Sequence, residues 1–208
     1  MEAGLRRVQK AFDLVNQRLR ASRDPLSDRV LENLVAGYAH VDTLVAAGVD
    51  LFAMGSLEHL LELNTRVLCG ARDEDRDAYR RHIDATAERF YGEREGGVRD
   101  VVEWSRRLER RSVWTRAAGI YVRILSQPQL FIEGNHRTGA LVMSYLLVRR
   151  GRPPFVLSVE NAAAYFDPST VIRDTHKHSA AMMFRAPMVR RRLAALLRAQ
   201  EDWHYLRG

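Results

Sequence analysis

About two thirds of the way along the 208-residue chain, seven residues stand together that can do chemistry on a phosphate: Glu133-Gly134-Asn135-His136-Arg137-Thr138-Gly139. Gly134 can take a positive φ and bring the backbone close to a ligand. Asn135 can cap a helix, and the N–H groups of residues 135 to 138 then point outward with the helix dipole behind them. Such a terminus attracts anions. Arg137 adds a forked cation to the first turn, where a positive charge opposes the dipole by roughly 0.3–1 kcal/mol unless an anion sits beside it. That conflict points to a phosphate. Glu133, just ahead of the turn, can hold Mg²⁺, which usually takes one or two carboxylates together with substrate phosphates. A plain helix joint, with Gly134 and Asn135 serving only as caps, explains the same residues and stays open at this point.

The elements that must position this turn are helices, because apolar residues recur at spacings of three and four almost everywhere. Leu5, Val8, Phe12, Val15 and Leu19 form a first stripe, broken at Asp24-Pro25. Ser27 is placed to cap a second helix over Val30, Leu31, Leu34, Tyr38 and Val41. Leu57 to Leu68 reads as a short apolar helix ended by Gly70. Asp73 to Tyr91 reads as a charged surface helix, Gly92 to Gly97 as a turn or small hairpin, and Val98 to Arg111 as a basic helix. Ser112 is expected to cap a helix through Leu125. An apolar helix from Ala140 to Arg149 follows the glycine-rich turn, then a shorter helix around Asn161 to Phe166 and an arginine-rich one from Met188 to Tyr205.

Composition narrows the function classes. At 46% hydrophobic and 28% charged residues, the chain belongs with ordinary globular domains rather than disordered or fibrous ones. The net charge of +7 hints at a polyanionic partner. Lys10 and Lys177 are the only lysines against 31 arginines, a skew that genome base composition alone can produce, so the charge says little about partners. Cys69 is the sole cysteine, which excludes a disulfide framework and a cysteine-rich zinc site and suits a reducing compartment. The first twenty residues lack a signal peptide's uninterrupted apolar core and no stretch reaches membrane-spanning length, so a soluble, cytoplasmic protein is expected.

The segment Leu130-Phe131-Ile132-Glu133-Gly134-Asn135-His136-Arg137-Thr138-Gly139 resembles the Fic family motif H-P-F-x-[DE]-G-N-[GK]-R, and the similarity extends over roughly Val98 to Asp174. The resemblance implies an all-α, Fic/Doc-type fold: residues 1–70 a helical extension packed on the core, residues 71–208 a Fic-like core with C-terminal helices. A short β-hairpin flap for target docking would fall at Tyr91 to Val98. Most family members transfer AMP, or occasionally another phosphate-containing group, from a nucleotide to a hydroxyl of a target protein. ATP or another nucleotide would thus be the co-substrate and Mg²⁺ the metal. Carried over by position, Phe131 would pack the loop into the core, Glu133 would hold Mg²⁺, Gly134, Asn135 and His136 would cradle the phosphates, and Arg137 would clamp them.

Three positions depart from the motif, two of them at its start. Gln129 stands where the family has its catalytic histidine, and Leu130 where it has proline. Glutamine accepts no proton at neutral pH, and a positioned base contributes about 10²–10⁴-fold, roughly 3–5.5 kcal/mol of barrier. The second arginine that many members carry is Ala140 here. His136 replaces the usual glycine or lysine; it could supply a base from another direction, donate to phosphate, or simply face solvent. Tyr165 could stack on a base and Asn161 bond its edge, or both could belong to an alanine-rich core helix. Glu32-Asn33, on an early helix, approaches the family's inhibitory [ST]-x-x-x-E-[GN] pattern, though an ordinary capping turn explains the same letters. Three readings follow: a nucleotide-dependent transferase acting on a protein or small anionic acceptor, an inactive Fic-fold nucleotide-binding or regulatory module, and, least favoured, nucleic-acid binding through Arg106, Arg107, Arg110, Arg111 and Arg190-Arg191-Arg192. The nucleotide, the acceptor and the oligomeric state are open.

Overall fold

The structure, a computed structural model, describes residues 1–92 and 96–206. Eleven α-helices run through the described residues, with no strand longer than the single bridge between Gln127 and His176. The hairpin expected between Tyr91 and Val98 falls partly on residues 93–95, outside the described residues.

The first stripe divides into α1 (Glu2–Lys10) and α2 (Phe12–Gln17), which bury Leu5, Val8, Phe12 and Val15. Ser27 caps α3 (Asp28–Ala46) by accepting from the Val30 N–H at 3.3 Å. The α4 helix (Leu57–Cys69) ends at Gly70, whose φ of +80° is open to glycine at little cost. The charged stretch forms two short helices, α5 (Asp73–Ala78) and α6 (Arg80–Tyr91), and the basic one ends four residues sooner than its pattern suggests, as α7 (Val98–Arg107). Ser112 caps α8 (Val113–Leu125).

The α9 helix (Asn135–Val148) runs through the centre of the molecule, with every side chain from Thr138 to Leu147 buried. It starts five residues before its apolar run does, because the turn residues are themselves helical. Two glycines let neighbours approach it: a Cβ on Gly139 would lie 2.6 Å from Tyr121 of α8, and one on Gly37 of α3 would lie 2.5 Å from Leu141. The α10 helix (Ala162–Arg173) runs seven residues past the expected end at Phe166, while α11 (Ala180–Ala199) starts eight residues before Met188 and ends six before Tyr205; they carry Pro168 and Pro187 internally. A single apolar cluster runs from Leu5 through Leu63, Phe131 and Leu141 to Leu197. No helix among the described residues is long and apolar enough to cross a membrane.

Candidate functional site

The turn before α9 is built from Gly134 outward. Its φ of +74° and ψ of 6° place it in the left-handed region, and a Cβ there would stand 3.0 Å from Asn64 Nδ2 and 3.3 Å from Val67 Cγ1. Backbone conformation and the close approach of α4 therefore both select glycine. Thr138 N–H bonds the Gly134 carbonyl at 2.9 Å, so the N–H groups of residues 135 to 137 are the first-turn donors without an intrahelical acceptor.

Asn135 does not cap the helix. It is the first helical residue, and a side chain there points back toward the preceding chain. Its Nδ2 donates to the Phe131 carbonyl at 2.8 Å and to Gln129 Oε1 at 3.1 Å, while its Oδ1 accepts from Phe131 N–H at 3.0 Å. Gln129 completes the brace by donating to the Leu125 carbonyl at 3.2 Å. Both polar ends of Gln129 are thus engaged within the loop. Arg89 of α6 fixes the same backbone from outside, giving two guanidinium donors to the Gln129 carbonyl. Phe131 is buried and stacks on Phe90 with ring centroids 5.7 Å apart.

Asn64, a polar residue inside the apolar stripe of α4, holds the turn from the other side. Its Nδ2 donates to the Glu133 carbonyl and to Thr138 Oγ1, both at 2.9 Å. Sequence reading missed it, although a buried-stripe asparagine is the signal to look for. The Glu133 side chain is exposed, next to the helix start.

Arg137 turns inward and donates to the Val67 carbonyl at 2.9 Å, at the end of α4 where the last carbonyls lack intrahelical partners. Burial lowers its pKa from the ordinary arginine value, opposed by Glu133, Asp24 and Tyr79, and it remains a cation. Asn33 donates to the same carbonyl at 3.4 Å, so α3, α4 and α9 meet at one oxygen. Glu32, one residue earlier, is exposed. Of the pair considered as an inhibitory element, only Asn33 shares a contact with Arg137.

His136 does not face solvent. Its Nδ1 pairs with the Tyr121 hydroxyl at 2.9 Å, and its Nε2 is buried with no hydrogen-bond partner. Burial, then the charges of Arg23 and Arg173, push its pKa down to about 3, so it is neutral at physiological pH and a weak base. Tyr165 is a core residue: 3% exposed, it donates its hydroxyl to the His136 carbonyl at 2.9 Å and packs between Tyr121 and Phe155 at 5.3 and 4.8 Å. Asn161 is buried in its own turn, accepting from Ser158 N–H at 2.8 Å and donating to the Val156 carbonyl at 2.9 Å. Neither side chain presents itself to a base.

A cation that spacing did not reveal comes from the connection between α2 and α3. Arg23 lies 5.2 Å over the Phe166 ring, which itself lies 6.2 Å from His136, and its Nη2 donates to Thr170 Oγ1 at 2.6 Å. Its Nε is buried without a partner. No sequence signal links Arg23 to the motif, since 113 residues separate it from His136.

These helices and this central turn define a Fic-type fold. No family model matches the sequence, and no curated protein is significantly similar to it. Among solved structures the chain is similar to Fic-1 from C. elegans, with a TM-score of 0.52 and 19% identity over 96% of this chain. The chain spans 64% of that neighbour's length. At this identity the likeness fixes the fold alone.

Proposed function

We propose that this Fic-like domain is a nucleotide-dependent transferase that works without a general base. The observation that carries the reading is the coincidence, at one helix start, of a left-handed glycine, free first-turn N–H groups, Arg137 and an exposed Glu133, beside a Gln129 that cannot take a proton. The N–H groups and Arg137 would hold the α- and β-phosphates. Glu133 would hold Mg²⁺. No group of three or more His, Cys, Asp or Glu side chains able to bind a metal occurs among the described residues, so the phosphates would complete its shell. The metal would neutralise charge on the leaving phosphates.

The acceptor follows from the missing base. Gln129 has both ends engaged, and His136, neutral and with a pKa of about 3, is too weak a base to deprotonate a hydroxyl. An acceptor already ionised at pH 7, a phosphate or a carboxylate, needs no deprotonation. Such an oxygen would attack the α-phosphorus and pyrophosphate would leave. Incubating the purified protein with Mg²⁺, labelled ATP and a panel of small anions should show nucleotide consumption with phosphate or carboxylate acceptors, abolished by Arg137→Ala. No turnover across nucleotides and acceptors would sink the transferase reading.

The double engagement of Gln129 favours a second reading, a nucleotide-binding regulatory module. Calorimetry separates the two: binding that needs Arg137, with no turnover, identifies the module.

A further inference from the structure

At the far end of α9 the chain forms a basic concavity of about 730 Å³. The 14 residues of α9, rising about 1.5 Å each, put it roughly 20 Å from the turn at Gly134. Arg110, Arg111, Arg116, Arg149, Arg150 and Arg152 line it. Two carboxylates, Asp50 and Glu109, line it as well, and Asp50 is paired with Arg149 at 3.3 Å. Arg152 pairs with Glu201 at 3.5 Å. Among the described residues Arg110, Arg111, Arg116 and Arg150 have no carboxylate within ion-pair distance.

Arg116 makes no ion pair at this wall and keeps a donor unpartnered. It is half-buried, its Nη2 donates to Ser105 Oγ at 3.0 Å, and its Nε is buried with no partner. Burial lowers its pKa, Asp50 and Glu109 oppose this, and Arg150 and Arg149 push it down further. The start of α8, with the positive end of its dipole, closes the same wall at Ser112 and Val113.

We propose that this concavity is a second ligand site, independent of the turn at Gly134, and that it takes a compact oligophosphate group. The guanidinium groups come from three separate segments, the α7–α8 turn, α8 itself and the chain after α9, and converge on one hollow instead of running as a stripe. Convergence of that kind matches several charges packed in a small volume, and arginine pairs with phosphate oxygens bidentately. The volume is that of a small-molecule site. Recognition is of phosphate and not of a base. The one aromatic ring in the wall, Trp114, is stacked by Arg152 at 5.0 Å and Arg198 at 5.4 Å, and its Nε1 donates to Glu201 at 2.9 Å.

Titration with inorganic tripolyphosphate at low ionic strength and without Mg²⁺ tests the proposal. The native chain and Arg137→Ala should bind it equally at this site. The double variant Arg111→Ala/Arg150→Ala, both exposed positions, should bind at least tenfold more weakly with unchanged thermal unfolding. Arg116→Ala should weaken binding in the same direction. Absence of binding by the native chain, equal affinity in the double variant, or loss in Arg137→Ala alone would overturn it. So would tighter binding of a short DNA duplex that falls with Arg106→Ala/Arg107→Ala, because the ligand would then be a nucleic-acid backbone tracked along the surface. None of these outcomes depends on whether the turn at Gly134 transfers anything.

Discussion

At position 129 the glutamine does two things that pull in different directions. Its amide braces the loop, accepting from Asn135 and donating to the Leu125 carbonyl, and it offers no proton acceptor at neutral pH at that position. Gln129→His restores an acceptor without removing the loop's remaining bonds, the Asn135 contacts to Phe131 and those from Arg89. Transfer of nucleotide to hydroxyl-bearing protein acceptors should rise by about 10²–10⁴-fold in this variant, read as label incorporated from ATP. Label that stays at the level of the unsubstituted chain would mean that the substrate, and not the base, is missing. His136 illustrates the same point in reverse. A histidine at this helix start invites a catalytic role, yet this one is buried and paired with Tyr121.

At the scale of elements, the site is a junction of α3, α4 and α9 held by a few polar contacts inside an apolar interface. Asn64 carries the Glu133 carbonyl and Thr138, and the Val67 carbonyl carries Arg137 and Asn33. Gly134 is where the geometry is least forgiving. Gly134→Ala must hold a Cβ residue at φ +74°, which costs about 1–2 kcal/mol, and must also displace Asn64 from 3.0 Å. Chemical denaturation should register at least that loss, accompanied by weaker nucleotide binding as the turn shifts. Stability within a few tenths of a kcal/mol of the native chain would show that α4 can retreat from the turn.

On the scale of the whole molecule, the N-terminal segment adds a charge to a site more than a hundred residues away, where burial is the larger influence on His136. Residues 20 to 23 are anchored on α10, through the Arg20 N–H to Asp167 at 3.0 Å and Arg23 to Thr170, and so place a cation near His136. Acid stability follows. With a folded-state pKa of about 3 against an ordinary 6.5, His136 binds no proton between those values while the unfolded chain does. Stability contributed this way is complete above about pH 6.5, falls as the pH drops through that window, and is lost by up to about 4 kcal/mol at its acid end. Urea midpoints at about pH 7 and about pH 4.5 should differ less in His136→Gln than in the native chain. Equal drops would mean that His136 protonates freely in the folded state.

Much of the fold was legible because helices announce themselves locally. Apolar spacing, Ser27 and Ser112 as caps and Gly70 as a stop all lie within a few residues of what they control. The glycine-rich turn was legible for the same reason: a positive φ at Gly134 and a helix start are properties of consecutive residues. What Asn135, His136 and Tyr165 do was not legible, since a side chain's burial and partners depend on what packs against it, and here that came from Phe131, Tyr121 and Arg23. The breaks within the charged and N-terminal stripes, and the internal prolines of α10 and α11, likewise went with packing rather than local pattern. The sequence alone determined that this is a helical chain with a glycine-led turn at a helix start and no histidine at position 129. Only the tertiary structure decided that Arg137 leans on the end of α4, that His136 is a buried neutral ring, and that six scattered arginines share one hollow, because charge and burial are set by neighbours in space.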